Sequence, residues 1–462
     1  MEPASRTGAS RDERVDRAKE LASHLALNHV TAIALTWVDN AGITRVKTVP
    51  TIRLPDVTAW GVGMSPVFDV FLVDDSITTS PDAGGPVGDL RLYPDLDRLT
   101  VLSAHHGWAW APVDRLTQEG DPYPACQRGF ARRMAAAATE RGLSFQFAFE
   151  VEWFVGDDAV DDPLGIEPAT TGPAYGMSRI TEVADYAHEV LEALQTQGVP
   201  VEQFHPEYAP GQLEISVAAT DPVAAADRLV LVRETIRAVS HAFGLRASFA
   251  PMVQAGSVGN GPHLHFSARA EGRNLFAGGD GPHGLTARGQ SMLAEIVARM
   301  RALCAISAPS VASYLRLMPQ RWAAPYQCWG RENREAGLRL VTGTRGLEDA
   351  AANAEIKCVD GSANPYLVIG AVLALALEGV DAGRILPPEV TVDPASLPED
   401  RQPPRLPLSL PESVACLEED EVLRNALGEA LFGAFVAVRR GEAALFSTST
   451  AEEVVAATRW RY

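Results

Sequence analysis

Apolar and charged positions alternate with a two-residue period in four short segments spread between residues 149 and 358. They are Phe-Glu-Val-Glu (149–152), Gln-Leu-Glu-Ile (212–215), His-Leu-His-Phe-Ser (263–267) and Glu-Ile-Lys-Cys (355–358). Side chains two apart in a strand share a face. Glu150 with Glu152, Gln212 with Glu214, His263 with His265 and Glu355 with Lys357 therefore point one way. Val151, Leu213, Ile215, Leu264, Phe266, Ile356 and Cys358 point the other way. If the four segments share one sheet, one face is greasy and covered by helices, and the other is a carboxylate and imidazole surface.

Around them the pattern predicts an ordered sequence of elements. Residues 1–14 are polar and read as a flexible tail, and Val15, Ala18, Leu21, Ala22 and Leu25 carry a helical period over 15–28. Strand-like residues 31–38, the turn Asp39-Asn40-Ala41-Gly42 and an extended stretch through Arg45 and Val49 give a hairpin signal. Segments 66–80 and 89–102 read as extended, which makes 15–112 a small α+β unit and 113–462 a larger one. In the larger unit a helix over 126–141 stops at Gly142 and feeds a strand over 145–155. Asp221-Pro222 opens a helix that ends at Gly244, with a capping side chain and a proline in its first turn. Further helices are expected over 286–304, 420–440 and 451–458, with a proline-rich, acidic loop over 383–412. The class is α+β with a mainly antiparallel sheet.

The polar face has a chemistry of its own. Glu150, Glu152, Glu207, Glu214 and Glu355 would crowd one surface, and two carboxylates ~6 Å apart repel by roughly 3 kcal/mol at an effective dielectric near ~20. Hard divalent cations such as Mg²⁺ or Mn²⁺ compensate such a cluster and tolerate one histidine among the oxygens. Two ions side by side can clamp a transferring phosphate. His263 and His265 follow a glycine-rich stretch, 256–261 and including Gly259, where backbone can approach a ligand. Arg316, Arg334 and Arg339 are the cationic counterpart, suited to phosphate or carboxylate. Arg339 lies between Leu338 and Leu340 and so belongs to a polar strand face.

Composition narrows the partners. A formal charge of −19 argues against nucleic acid and anionic membranes. The five dispersed cysteines form no CxxC and fit a reducing cytoplasm better than a disulfide scaffold. The N-terminus lacks the apolar core of a signal peptide, and no run is expected to span a bilayer.

With these residues assembled, the chain resembles the glutamine synthetase superfamily. The matching blocks are Asp39…Gly42…Arg45…Lys47, FEVEWF (149–154), HPEYAPGQLEIS (205–216), GNGPHLHFS (259–267), SYLRLMP (313–319), NREAGLRL (333–340) and AEIKCVDGSANPYL (354–367). The resemblance implies a small N-terminal β-grasp-like domain and a large catalytic domain on a curved, mainly antiparallel sheet with helices outside. It implies stacked rings, usually twelve subunits, each site completed by a neighbour's N-terminal domain. By position, Glu152, Glu207 and Glu214 would hold a first metal, and Glu150, His263 and Glu355 a second one at the ATP phosphates. Arg334 and Arg339 would meet the transferred phosphoryl group, His265 and Ser267 the nucleotide, and Arg316 the glutamate substrate. The implied reaction makes γ-glutamyl phosphate from glutamate and ATP, and an amine then displaces phosphate.

Departures from the family pattern cluster at the second substrate. Family members carry a mobile flap whose glutamate closes the site and helps bind and deprotonate ammonium. Here Pro319-Gln-Arg-Trp-Ala-Ala-Pro325 contains no acidic residue, and Trp322-Ala323 occupies that place. An aromatic face accommodates an alkyl-ammonium through cation–π and apolar contact. Lys357 stands where a second arginine on the substrate's α-carboxylate is expected, and Asn353 where another arginine is expected. The acidic latch of the N-terminal domain corresponds to Asp74, or to Asp75. The resulting expectation is a cytoplasmic glutamate–amine ligase, with ethanolamine ranked first because a polyamine would call for an acidic pocket. Ordinary glutamine synthetase, a polyamine ligase and a non-catalytic ring scaffold remain the alternatives.

Overall fold

The computed structural model describes residues 10–462 apart from 82, 161 and 163. Helix Arg11–Leu27 starts inside the segment expected to be a tail, because Ser10 and Glu13 form a reciprocal capping box. Glu13 takes the Ser10 N–H at 2.7 Å, and Ser10 Oγ takes the Glu13 N–H at 3.3 Å. Two otherwise unsatisfied donors are met, which lets a polar stretch hold helix. The rest of the expected tail, 1–9, lies outside the described residues.

The first sheet contains β1 (Ala32–Val38), β2 (Thr44–Pro50), β3 (Val62–Met64), β4 (Leu90–Pro94), β5 (Thr100–Val101) and β6 (Trp108–Leu116). Their order is β2-β1-β6-β4-β3, with β5 paired to β6. β1 and β2 form the expected antiparallel hairpin, while β1 and β6 run parallel. β6 continues beyond residue 112 and still pairs Leu116 with Arg91. Segment 66–80 is not extended: Pro66–Val70 is a 3-10 turn capped by Ser65, and the residues after it make one isolated bridge, Phe71 to Ile77. Proline at the first turn position and a serine ahead of it favour the turn over a strand.

The second sheet collects all four alternating segments. It is built from β7 (Leu143–Asp158), β8 (Ile166–Pro168), β9 (Val201–Pro206), β10 (Gln212–Val217), β11 (Arg246–Ser248), β12 (Leu264–Ala270), β13 (Arg273–Asn274), β14 (Trp329–Arg331), β15 (Leu338–Val341) and β16 (Asn353–Ile356). The order is β14-β15-β16-β12-β7-β10-β9, and among the described residues of this sheet only β14 and β15 run parallel. Phe147, Val151, Trp153, Leu213, Ile215, Leu264, Phe266 and Ile356 are buried on its apolar face. Phe147 and Phe266 stack at 5.7 Å between ring centroids. Helices Gln127–Glu140 and Pro222–Ala242 pack on β7, and Pro365–Ala382 packs on both of them and on Ala287–Ala298.

Helix Pro365–Ala382 corrects two expectations: it was not foreseen, and its 18 residues are apolar and long enough to span a bilayer. Most of that length is buried inside the fold, which is the other environment where a helix is apolar all round. The helix expected over 286–304 is two, Ala287–Ala298 and Met300–Ser307, breaking at Arg299, whose guanidinium binds Asp420 at 2.9 Å. The one expected over 420–440 is also two, Glu421–Leu427 and Glu429–Leu445, divided by Gly428 at φ +76°. The expected loop 383–412 holds only 3-10 turns until helix Leu410–Glu418 begins.

The small sheet is docked through its hairpin turn. Gly42, at φ +82°, lies so close to the Ser362 carbonyl that a β-carbon would sit 1.9 Å from that oxygen. Asn364 donates to the carbonyls of Val38 and Asp39 at 2.9 and 3.1 Å. Buried Arg128 binds Asp95, Asp114 and Asp227 at 2.6–2.8 Å, tying β6 to the helical layer.

Candidate active site

Register brings the polar residues together. Glu152 lies opposite Glu214, Glu214 opposite His205, and Glu355 opposite both His265 and Arg339. The carbonyl of His263 accepts the Glu150 N–H at 3.0 Å, fixing the imidazole beside β7. The donor atoms of Glu150, His263 and Glu355 all lie within 4.8 Å of one another. His263 Nδ1 is 3.3 Å from both Glu150 Oε2 and Glu355 Oε1. His205, Glu207 and Glu214 form a second group within the same span. Glu152 stands between them: its Oε1 is 3.9 Å from His263 Nε2, and its Oε2 accepts from the Gly261 N–H at 2.9 Å.

The other expected residues divide into those at this face and those away from it. Arg316 is buried, with Nη2 at 3.2 Å from both His263 Nε2 and the Lys357 carbonyl, and its Nη1 has no hydrogen-bond partner among the described residues. Gly259 and Gly261 leave room for it; β-carbons there would meet Arg316 atoms at 2.9 and 2.1 Å. Lys357 is buried too, and its ammonium binds Glu355 at 3.1 Å. Arg339 is held by Glu355 at 3.2 Å and Glu332 at 2.8 Å. His265 reaches Glu150 at 3.3 Å and Asn353 at 2.9 Å, with half-buried Ser267 further along β12 on the same face. Arg334 is exposed. Asp74 accepts from the backbone of Ser76 and lies beside Val73, whose N–H is taken by Glu442, so within one chain it is not among the converging groups. Asp75, the alternative, binds Arg45 at 2.7 Å and Arg461 at 2.8 Å.

Three residues at the site were not foreseen. His205 faces Glu214 across the register and sits within the His-Pro-Glu of a quoted block, a signal that was present. Tyr175 donates to Glu207 at 2.8 Å. Glu335 reaches the flap, where its Oε1 accepts the Trp322 N–H at 2.9 Å, so the flap does have a carboxylate beside it. Trp322 is exposed and meets Tyr208 edge-on at 5.4 Å, while Ala323 is buried.

The electrostatics describe a surface short of positive charge. Burial, and then Glu152, Glu150 and Glu207, push the Glu214 carboxyl up to about 10. Burial also raises Glu152, with Glu207 adding to it. Against the same burial, Lys357 and His263 hold Glu355 well below the usual carboxylate range. This donor set fits hard divalent cations, which would displace those protons and compensate the ionised carboxylates in their place. Mg²⁺ or Mn²⁺ titrated into metal-free protein at pH 7.5 is therefore expected to release about one proton per chain, read by calorimetry in buffers of different ionisation enthalpy. The native state holds more protons than the unfolded chain between the ordinary glutamate value and about 10, so metal-free stability falls as pH rises through that window. Saturating metal should flatten that slope. Heats independent of buffer would contradict the donor set.

Residues 124–456 match the catalytic domain of glutamine synthetase. The chain is 55% identical to the gamma-glutamylpolyamine synthetase GlnA3 of Streptomyces coelicolor, over 98% of each chain. It is 26% identical to the gamma-glutamylanilide synthase of an Acinetobacter species, over 97% of this chain and 95% of that one. Among solved structures, a novel glutamine synthase homolog aligns at a TM-score of 0.84 and 31% identity, covering 94% of this chain and 99% of that one. GmaS with ADP aligns at 0.81 and 28% identity, covering 93% and 97%. The chain belongs to the glutamine synthetase family. It is an ATP-dependent carbon–nitrogen ligase that joins a γ-glutamyl group to an amine.

Proposed function

We propose that the amine is a diamine or polyamine, and that the reaction runs through γ-glutamyl phosphate at the carboxylate face of β7, β9, β10, β12 and β16. The observation that carries the ligase chemistry is the convergence of Glu150, Glu152, Glu207, Glu214 and Glu355 with His205 and His263. Two divalent cations fit these groups, Glu150, His263 and Glu355 forming one site and Glu152, Glu207 and Glu214, with His205 beside them, the other. When bound, such ions neutralise phosphate charge and orient the transferred group. Arg339 stands at the edge of the cluster, with Arg334 nearby in sequence, to meet the same oxygens, and His265 and Ser267 line the face where the nucleotide would extend. Arg316, with an unpaired Nη1, suits the substrate's carboxylate, and Lys357 supplies charge beside it.

The γ-carboxylate oxygen of glutamate forms a bond to the γ-phosphorus of ATP, and the bond to the bridging oxygen of ADP breaks. The amine nitrogen then bonds to the acyl carbon, phosphate leaves with its oxygen, and a proton leaves the nitrogen. Buried glutamates keep this step in a low-dielectric place, where fixed charges act strongly. The family resemblance further suggests two hexameric rings, with Asp74 of a neighbouring copy reaching each site. The exposed apolar residues Ile52, Val46 and Trp60 on the small unit suit such contacts. Five free cysteines and a need for ATP and glutamate suit the cytoplasm.

Ethanolamine ranked first only because the flap lacks an acidic residue of its own. Glu335 removes that ground. The 55% identity to a gamma-glutamylpolyamine synthetase over nearly the whole chain favours the longer cation. The test is product formation from ATP and glutamate with putrescine, spermidine, ethanolamine, n-butylamine and ammonium, each product identified by mass. Turnover with putrescine or spermidine well above the others is expected. Turnover confined to ethanolamine or ammonium would overturn the polyamine reading.

A further inference from the structure

Glu335 belongs to none of the metal or phosphate groups, yet it is half-buried at the flap. One oxygen, Oε1, takes the backbone N–H of Trp322 at 2.9 Å. The other, Oε2, is buried and has no hydrogen-bond partner among the described residues. Burial pushes this carboxyl upward, and Asp393 adds to the effect while the backbone N–H groups of Trp322 and Gln320 and the charge of Lys357 oppose it. An unpaired carboxylate oxygen out of water is costly, and a cation bound there would satisfy it.

The segment it holds is under backbone strain. Gln320, Trp322 and Ala324 all take positive φ, at +60°, +53° and +52°, although none is glycine. Each such residue costs about 1 kcal/mol or more, so the flap keeps this shape only because neighbours fix it, Glu335 among them. The conformation presents Trp322 to Tyr208, whose own N–H is bonded to Glu207 at 3.0 Å. A continuous run therefore leads from the carboxylate cluster through Glu207, Tyr208 and Trp322 to Glu335. An aliphatic chain with an ammonium at each end matches that order: reactive nitrogen at the cluster, methylenes along the aromatic pair, distal charge at the carboxylate.

We propose that Glu335 reads the distal ammonium of a diamine or polyamine, with Trp322 and Tyr208 as the wall along which its alkyl chain lies. This rests on the polyamine reading above and names the residue responsible for it. Glu335 is a specificity residue of the second substrate and takes no part in phosphoryl transfer.

The test compares kcat/KM for putrescine and for n-butylamine, equal in carbon number but lacking the second charge, in wild type, E335Q and E335D. Glutamine keeps an acceptor for the Trp322 N–H and removes only the charge. The putrescine-to-butylamine ratio should fall about 10- to 100-fold in E335Q, chiefly through KM for putrescine, and should partly recover in E335D. A ratio unchanged in both variants, or equal losses for both amines, would overturn the proposal by leaving Glu335 only its hold on the flap. Failure of the wild type to form any γ-glutamyl diamine would instead overturn the polyamine reading before any variant is compared.

Discussion

Replacing Glu152 with alanine is expected to lower kcat by about three orders of magnitude or more while leaving the metal-free protein folded. Glu152 is buried in the middle of the face, opposite Glu214 and close to His263, and it accepts the Gly261 N–H. Burial raises its carboxyl, and Glu207 raises it further, so in the metal-free protein this side chain is held at a cost. Removing it relieves that crowding and leaves one backbone donor unmet, two effects of opposite sign. The metal-free melting temperature should therefore stay near that of wild type. The stabilisation conferred by Mn²⁺ should shrink sharply, since one oxygen donor between the two clusters is gone. Thermal melts with and without metal, beside steady-state turnover, separate the two effects. Retained turnover would remove Glu152 from the metal site.

Arg316 gives the second large effect. R316A should raise KM for glutamate about 100-fold or more, with a much smaller change in KM for ATP. The guanidinium is buried, two of its contacts involve Nη2, and Nη1 is left for a ligand. A carboxylate arriving there satisfies a donor that water does not reach, which makes this hydrogen bond worth more than one at the surface. R316K keeps the charge but loses the planar fork and should fall between the two. Steady-state kinetics with each substrate varied in turn checks this. Equal rises in both KM values would place Arg316 in general support of the site.

The sheet was legible because its polar face is written with period two in four places. Packing that apolar face under helices leaves one register choice for each strand, since a slip of one residue would turn Glu152 into the apolar core and Trp153 onto the polar face. Which glutamates become neighbours is not written in the periodicity, because pairing joins β7 to β10 and β12 to β16 across long gaps in sequence, and the grouping comes from the family resemblance alone. His205 lies in the quoted HPEYAPGQLEIS block, but its place against Glu214 comes from the register of β9 on β10. Helix Pro365–Ala382 carried no amphipathic signal because it is buried on nearly every side. The 66–80 segment was misjudged through the local chemistry of Ser65-Pro66, which favours a turn.

The flap shows a different limit. Its own sequence lacks an acid, and that fact was read as the character of the pocket. Glu335 comes from thirteen residues downstream and meets Trp322 through a backbone N–H, a contact that no side-chain pattern announces. Strained positions such as Gln320, Trp322 and Ala324 are equally silent in sequence, since none is a residue that favours positive φ.

Phosphate released during amine ligation tests the central claim most directly, when the glutamate carries ¹⁸O in its γ-carboxylate. Attack of that carboxylate on ATP followed by amine displacement moves one labelled oxygen from glutamate to inorganic phosphate, and mass spectrometry should find it there in each turnover with putrescine or spermidine. Unlabelled phosphate accompanying the same γ-glutamyl product would contradict an acyl-phosphate ligase built on this carboxylate face.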